Sequence, residues 1–126
     1  MMSKINVGIC GYGIVGKRRF EYISKNKNYK IIGVCDKSIK KKYIKNRIIF
    51  YKSIYQLLKL DLDAIFICVT NNVAAKYTQM SLSKNLHVFC EKPPSMNVNQ
   101  LINVGKILNT KMGKKLKINY VQSNSK

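Results

Sequence analysis

The sequence has few acidic residues: five Asp and Glu stand against 24 Lys and Arg, for a net charge of +19 at pH 7. A charge of this size favours anionic partners. Arginine is scarce too, since 21 of the 24 cations are lysines, whereas proteins that read phosphates or bases specifically rely on the planar arginine side chain. The lysines accompany 16 Ile and 13 Asn, which indicates a general compositional bias. We therefore predict no specific nucleic-acid partner, and non-specific polyanion binding stays open as an alternative.

Prolines and long hydrophobic runs are also few. With two prolines and 46% apolar residues, a chain of 126 residues can build one core, which excludes a disordered chain and makes two full-sized domains improbable. No apolar stretch approaches the length of a membrane span, which is about 20 residues. Residues 1–4 lead into a short apolar run without the pattern of a signal peptide. We therefore expect no membrane association and a cytoplasmic location.

Metal-ligating residues are sparse as well. The four cysteines, Cys10, Cys35, Cys68 and Cys90, lie more than twenty residues apart, so none forms the close pair of a zinc site. Each lies within or at the end of an apolar run, which is typical of buried, reduced thiols. His87 is the only histidine, and we interpret it as structural. The expectation is that the chain holds no metal.

Apolar runs of strand length alternate with segments of helical length. The predicted strands are Ile5–Cys10, Ile31–Cys35, Ile48–Tyr51, Ala64–Val69, Leu86–Cys90 and Leu116–Val121. The predicted helices are Ile14–Lys25, Ser53–Leu60, Val73–Lys84 and Asn97–Asn109, and Ser53 with Gln56 has the pattern of a capping box. Nearly unbroken apolar strands are typical of parallel sheets. The alternation predicts one α/β domain with a doubly wound parallel sheet, and Lys37–Arg47 is interpreted as a loop or frayed helix.

A glycine motif of the form GxGxxG follows the first strand and opens the first helix. Its residues are Gly11, Tyr12, Gly13, Ile14, Val15 and Gly16. Asp36 stands twenty residues beyond Gly16, at the end of the second strand. In this context the first glycine permits a tight turn, the second lets a pyrophosphate approach the backbone, and the third lets the helix pack on the strand. The pattern predicts a Rossmann-type NAD(P)-binding domain in which these residues bind the cofactor.

Asp36 bears on the choice between the two nicotinamide cofactors. A carboxylate at this position accepts hydrogen bonds from the adenosine ribose hydroxyls and repels a 2′-phosphate, which favours NAD over NADP. The cations that follow it, Lys37 and residues 40–42, together with Ser38, offset part of that repulsion. We therefore expect NAD, with NADP as the alternative.

Four stretches of the chain resemble the glucose-fructose oxidoreductase, inositol dehydrogenase and rhizopine-catabolism family (Gfo/Idh/MocA). They are Val7–Gly16, Gly33–Asp36, Asp63–Asn71 and, above all, Leu86–Pro93, which ends in Glu-Lys-Pro directly after a strand. The resemblance covers nearly all of residues 3–120. It implies an NAD(P)-dependent oxidoreductase that passes hydride between nicotinamide and a hydroxyl of a sugar, sugar nucleotide or cyclitol.

The resemblance also implies roles for residues after the fourth and fifth predicted strands. Lys92 would bond to the reacting hydroxyl beside the nicotinamide ribose and act as the catalytic residue, and Glu91 would contact that ribose or brace the turn. Thr70 and Asn71 would line the cofactor crevice. Many family members have proline where this chain has Asn71, and histidine where it has Ala75.

The chain is shorter than members of this family, which continue into a second α/β domain that contacts substrate. We predict a dinucleotide-binding domain over residues 1–121, a polar tail over 122–126 and no substrate domain. A sugar-like substrate is then expected only in a complete protein, with a homo-oligomer or a second chain as partner. A stand-alone or truncated nucleotide-binding module without catalysis stays open as the alternative.

Overall fold

The computed structural model describes residues 4–90 and 118–120. The elements in these residues are β1 (Ile5–Cys10), α1 (Ile14–Ser24), β2 (Tyr29–Cys35), β3 (Tyr43–Lys45), β4 (Ile48–Tyr51), α2 (Ile54–Leu57), β5 (Ala64–Ile67), α3 (Asn71–Ser83), β6 (His87–Cys90) and β7 (Ile118–Tyr120). The predicted strands β1 and β4 have the expected bounds, and the ends of the other predicted elements in this part of the chain shift by at most three residues. The predicted helix Asn97–Asn109 and the polar tail lie outside the described residues.

The seven described strands form one sheet in the order β3-β4-β2-β1-β5-β6-β7. Strands β4, β2, β1, β5, β6 and β7 run parallel, and β3 alone among them is antiparallel to its neighbour. The chain builds outward from β1 to β2 and β4, then returns across β1 to β5 and continues to β6 and β7. The predicted doubly wound α/β fold is confirmed. Its two halves diverge between β1 and β5, where the carboxyl ends of the strands leave a crevice.

The segment Lys37–Arg47 differs from the prediction of a loop or frayed helix, because it contains β3, which forms a hairpin with β4. The turn residues Asn46 and Arg47 have φ angles of 52° and 67°, the left-handed pair that suits the twist of a two-residue hairpin. Three residues are too few to show strand periodicity in a sequence. A lysine-rich composition is also typical of an edge strand, since charge there discourages pairing with other chains.

The helices cover both faces of the sheet. On one face Ile23 of α1 packs in a buried cluster with Val7 of β1. On the other face Leu57 of α2 and Leu82 of α3 pack in a second cluster with Ile65 of β5. Burial of each such side chain stabilises the fold by about 1.5–3 kcal/mol. None of the helices in residues 4–90 combines the length and the apolar character that a membrane crossing requires.

The predicted capping box starts α2. The Ser53 Oγ accepts a hydrogen bond from the Tyr55 N–H at 3.1 Å, and the Gln56 side-chain oxygen accepts one from the Ser53 N–H at 3.3 Å. These bonds satisfy backbone donors at the start of the helix. They define the short turn between β4 and α2, which leaves Lys52 at the carboxyl edge of the sheet.

Candidate functional site

A cleft of about 300 Å³ opens at the carboxyl ends of β1, β2 and β5. Backbone hydrogen bonds hold these strand ends together: the Gly11 N–H donates to the Cys35 carbonyl at 2.8 Å, and the Cys68 N–H donates to the Cys10 carbonyl at 2.7 Å. The walls are the glycine turn, the residues after β2, the β4–α2 turn and the start of α3. The cleft therefore lies at the switch point of the sheet, where open α/β folds bind ligands.

The three glycines of the motif have different surroundings. Gly11 has a φ of 101°, and a Cβ there would lie 2.5 Å from the Cys68 carbonyl oxygen. A Cβ on Gly16 would overlap the Gly11 carbonyl oxygen. A Cβ on Gly13 would meet nothing within 4 Å, because this residue faces the open cleft. Gly11 and Gly16 are thus required by the fold, whereas Gly13 leaves room for a ligand to reach the backbone.

Helix α1 begins at this opening. Gly13 is its N-cap and accepts the first helical bond from the Lys17 N–H at 2.9 Å. A glycine carries no side-chain oxygen to cap the first-turn N–H groups, and no acidic residue lies in that turn. These N–H groups and the positive end of the helix dipole form an anion-binding end. The exposed Ile14 and Val15 side chains flank it.

Asp36 lies beside the glycine turn, directly after β2. Its Oδ1 accepts a hydrogen bond from the Tyr12 N–H at 2.7 Å. Its Oδ2 accepts from the Ser38 N–H at 3.0 Å and from the Ser38 hydroxyl at 2.5 Å. The Asp36 N–H donates to the Tyr51 carbonyl of β4 at 3.0 Å. The carboxylate is therefore tied to the glycine turn on one side and to the β2 end on the other.

These contacts keep Asp36 ionised. Burial raises the pKa of Asp36 and is the largest single influence on it. The hydrogen bonds from the Ser38 hydroxyl, from the Tyr12 N–H and from the Ser38 N–H, with the charge of Lys37, together outweigh burial. The net effect lowers the pKa of Asp36 below its ordinary value of 3.8, so the cleft carries a carboxylate at neutral pH.

Tyr12 reaches the site through its backbone. Its ring packs edge-on against Phe20 of α1 and Phe50 of β4, with centroids 5.6 Å away in both cases, and the Lys17 ammonium lies 5.5 Å from the ring centroid. Edge-to-face pairs of this kind stabilise by about 0.5–1.5 kcal/mol beyond the area that they bury. The ring thereby anchors the glycine turn so that the Tyr12 N–H points at Asp36.

Among the predicted site residues that the structure describes, four line this cleft. They are Gly11, Gly13, Asp36 and Thr70. Thr70 is the exposed N-cap of α3, and Asn71 is the first residue of that helix. Glu91 and Lys92 follow Cys90, the last residue of β6, and lie outside the described residues.

Other residues that line the cleft were not predicted from the sequence. Ile54, Val73 and Tyr77 form an apolar wall from α2 and α3, and Lys52 lies beside it on the β4–α2 turn. Isolated apolar residues of amphipathic helices carry no signal that separates a cleft wall from a core. Lys52 is one lysine among 21. Only the folding of α2 and α3 over the sheet edge brings these residues to the cleft.

Three cysteines line the cleft. Cys10 is the last residue of β1, Cys35 is the last residue of β2, and Cys68 follows β5. Two causes raise the pKa of Cys10 well above its usual range: the larger is a hydrogen bond with the Cys35 thiol, and the next is burial. The Cys10 side chain therefore stays a neutral thiol and gives this part of the cleft an uncharged surface.

The sequence profile of an oxidoreductase family, described as having an NAD-binding Rossmann fold, matches residues 5–120. The uncharacterized oxidoreductase YrbE of Bacillus subtilis (strain 168) is 33% identical over 105 residues, which are 79% of this chain and 31% of that protein. The D-glucoside 3-dehydrogenase of Escherichia coli (strain K12) is 29% identical over 105 residues, which are 78% of this chain and 30% of that protein. The chain thus spans about a third of the length of the curated relatives that it matches.

Solved structures have the same fold. The scyllo-inositol dehydrogenase of Lactobacillus casei with bound NAD(H) and scyllo-inositol superposes with a TM-score of 0.76 at 19% identity, over 94% of this chain and 36% of that one. The D-galactose-1-dehydrogenase of Rhizobium etli superposes with a TM-score of 0.74 at 23% identity, over 94% of this chain and 37% of that one. With the profile match over most of its length, the chain belongs to the Gfo/Idh/MocA oxidoreductase family, through its NAD-binding Rossmann domain.

Proposed function

We propose that this chain is the cofactor-binding half of an oxidoreductase that transfers hydride between a nicotinamide dinucleotide and a hydroxyl of a sugar, sugar nucleotide or cyclitol. The observation that supports the proposal most directly is that one cleft is lined both by the open Gly13 at the start of α1 and by the ionised Asp36 carboxylate after β2. The helix start suits a pyrophosphate, and the carboxylate beside it suits a ribose diol. Membership of an NAD-binding family supports the same assignment.

The residues of the cleft fit the adenosine diphosphate part of such a cofactor. The first-turn N–H groups of α1 receive the pyrophosphate, because Gly13 leaves the approach open. The Asp36 carboxylate accepts hydrogen bonds from ribose hydroxyls. The apolar wall of Ile54, Val73 and Tyr77 offers a surface on which the adenine ring packs. When bound, the nicotinamide ring supplies the carbon that gives or takes the hydride.

Asp36 favours NAD(H) as the dinucleotide. Its pKa is lowered, so the carboxylate is charged at neutral pH and opposes a 2′-phosphate on the ribose. Hydrogen bonds from the Tyr12 N–H and the Ser38 N–H hold its oxygens in place, and Asp36 is among the residues that line the cleft. We propose a cytoplasmic location, in keeping with Cys10 and Cys35, which line the site as free cysteines and form no disulfide.

The catalytic role proposed for Lys92 follows from the family resemblance. Strand β6 runs parallel to β5 and ends at Cys90 on the carboxyl edge of the sheet, and Glu91 and Lys92 follow in the sequence. A lysine ammonium that bonds to the reacting oxygen would stabilise the oxyanion that exists once the hydroxyl has lost its proton, before hydride leaves the carbon and the carbonyl forms. Glu91 is proposed to contact the nicotinamide ribose, and Thr70 and Asn71 to border the cofactor.

The proposed substrate class draws on the relatives. The names of the similar proteins include a D-glucoside 3-dehydrogenase and a scyllo-inositol dehydrogenase, whose substrates are a sugar derivative and a cyclitol. Since this chain spans about a third of such proteins, we propose that the substrate contacts come from polypeptide beyond the matched region or from a second chain.

In that assembled enzyme, Lys92→Ala should abolish most turnover while the affinity for NADH stays nearly unchanged. Turnover at the parent rate would contradict the role of Lys92.

Calorimetric titration of the 126-residue chain with NADH at moderate salt tests the cofactor proposal. We expect saturable binding that is lost in Gly13→Asp, since the added carboxylate would occupy the pyrophosphate approach. Asp36→Ala should weaken NADH about tenfold or more, because hydrogen bonds to a charged group contribute about 1.5–3 kcal/mol, and should weaken NADPH less. Asp61→Ala, which removes an exposed carboxylate away from the cleft, is the matched control. Failure of the folded parent chain to bind NADH would refute the proposal.

A further inference from the structure

Two cysteines stand side by side at the carboxyl ends of neighbouring strands. Cys10 ends β1 and Cys35 ends β2, and the two residues are register partners in the parallel ladder. Register partners point to the same face of a sheet, and both cysteines pack in the buried cluster that contains Leu57 and Leu82. A hydrogen bond joins the two thiols. The two sulfur atoms are therefore neighbours on one face of the sheet.

The spacing of the two strands suits a disulfide between these residues. Neighbouring strands lie about 4.7–4.9 Å apart, and disulfides join residues whose Cα atoms are about 4.4–6.8 Å apart. Directly after the pair, the Gly11 N–H donates to the Cys35 carbonyl at 2.8 Å, which holds the strand ends at sheet spacing. A bond between the sulfur atoms of Cys10 and Cys35 therefore needs rotation of two side chains and no rearrangement of the strands.

The other two cysteines lie in different surroundings. Cys68 packs against the buried cluster on the opposite face of the sheet. Cys90 shares the face of the pair, but Ile67 of β5 stands between it and Cys10 in the sheet. The Cys90 sulfur instead lies 3.7 Å from the Thr78 hydroxyl. Within the part of the chain that the structure describes, the fold thus sets one pair of thiols together.

The pair is buried but borders the cleft. Cys10 is 1% exposed and Cys35 is 3% exposed, and both line the cleft of about 300 Å³. A small, uncharged molecule that enters the cleft can reach their sulfur atoms. Hydrogen peroxide has that size and charge, and its oxidation of two adjacent thiols ends in a disulfide.

We infer that Cys10 and Cys35 form a redox-active dithiol in the wall of the cleft, which hydrogen peroxide oxidises to a reversible disulfide. Cys35, after loss of its proton to water, attacks one peroxide oxygen. The O–O bond breaks, which leaves a sulfenic acid on Cys35 and a hydroxide that takes up a proton. The Cys10 sulfur then attacks the Cys35 sulfur, the S–O bond breaks, and the second water leaves with the Cys10 proton. Two thiols are oxidised by two electrons, and one peroxide is reduced to two waters.

The electrostatics of the pair favour this order of attack. The hydrogen bond with Cys35 and burial both raise the pKa of Cys10, so Cys10 keeps its proton in the first step. A protonated thiol is a poor nucleophile toward peroxide. Once Cys35 is a sulfenic acid, the Cys10 sulfur beside it is the thiol in place to form the disulfide.

Peptide mapping of the peroxide-treated 126-residue chain tests the inference. The oxidised chain is quenched with catalase, alkylated with N-ethylmaleimide in acidic denaturant and digested with trypsin without reduction. We expect an intact mass lower by two hydrogens, a cross-link between the peptides of Cys10 and Cys35, and recovery of both thiols with dithiothreitol. Cys90 is also buried but has no thiol beside it, and it should be alkylated fully. The same oxidation in denaturant should lose this selectivity of pairing.

Variants separate the pair from the more exposed thiol. Cys68→Ala should form the same disulfide, whereas Cys35→Ala should form none. In Cys10→Ala the sulfenic acid has no thiol beside it, so dimedone should label Cys35. A folded parent chain in which peroxide oxidises Cys68 while Cys10 and Cys35 are both still alkylated would overturn the inference. A disulfide to Cys90 in the folded chain would overturn it as well.

The same pair gives a second test, which rests on the proposed function. Cys10 directly precedes Gly11 and Cys35 directly precedes Asp36, so a dinucleotide held by the glycine turn and that carboxylate covers the pair. NADH at ten times its dissociation constant leaves about one cleft in eleven empty, so the disulfide should form about tenfold more slowly. NADH that binds but leaves this rate unchanged would contradict access through the cofactor cleft. Absence of NADH binding would refute the proposed function, whereas the peptide map of the parent chain decides the dithiol separately.

Discussion

Gly13→Ala and Gly16→Ala add the same methyl group three residues apart in one turn, yet the structure predicts different outcomes for them. A Cβ on Gly16 would overlap the Gly11 carbonyl oxygen and lie 2.7 Å from the Gly11 carbonyl carbon. Both obstacles are backbone atoms and have no rotamer in which to retreat. A Cβ on Gly13 would meet nothing within 4 Å.

The magnitudes follow from opposing effects at each position. Gly16 lies within α1, where alanine gains about 1 kcal/mol of helix propensity over glycine. Overpacking typically costs about 1–3 kcal/mol, and a backbone obstacle places Gly16→Ala near the upper end. The net expectation is a loss of about 2 kcal/mol. Gly13 has an extended conformation with φ −82°, which alanine adopts, so Gly13→Ala should keep the stability of the parent or gain about 0.4–1 kcal/mol.

Urea unfolding, followed by circular dichroism and paired with NADH titration, checks both variants. With an m-value of about 2 kcal/mol/M, Gly16→Ala should lower the urea midpoint by about 1 M, and Gly13→Ala should leave it unchanged or raise it slightly. Gly13→Ala should instead weaken NADH binding about tenfold, because its methyl group stands where the pyrophosphate approaches the backbone. A parent-like urea midpoint for Gly16→Ala, or equal destabilisation by both substitutions, would refute the assignment of the two glycines.

Further predictions concern Asp36, the α2 cap and the thiols. Because the pKa of Asp36 is lowered in the folded state, its carboxylate stabilises the fold at pH values above its ordinary pKa of 3.8. This stabilisation is lost as the pH falls through the lower pKa of the folded state. The difference in unfolding free energy between the parent and Asp36→Asn should therefore be present at pH 7 and shrink at pH 3. Ser53→Ala should cost about 1 kcal/mol in urea unfolding, because it removes the acceptor for the Tyr55 N–H, and an unchanged midpoint would contradict the capping role. Iodoacetamide at pH 7.5 should label the half-buried Cys68 before Cys10, which is 1% exposed and has a raised pKa; peptide mass spectrometry gives the order.

The parts of the fold that depend on local sequence patterns were predictable from the sequence alone. Apolar runs bounded by turns predicted the six parallel strands in the described residues, because strands buried on both faces need nearly continuous Ile and Val. The Ser53 and Gln56 pair predicted the start of α2, because a capping box is a contact between near neighbours. The edge strand β3 was missed, since its stability comes from pairing with β4 and its three residues have no periodicity of their own.

The candidate site divides in the same way. The glycine turn and Asp36 were predictable, because their spacing reflects the backbone geometry of one strand, one turn and one helix. By itself, then, the sequence determined the fold class and the anion-binding turn. Only the tertiary structure decided that Asp36 accepts a bond from the Tyr12 N–H and that Lys52 and Tyr77 reach the same cleft. Those side chains are distant along the chain, and they meet only because the parallel strands bring their carboxyl ends to one edge of the sheet.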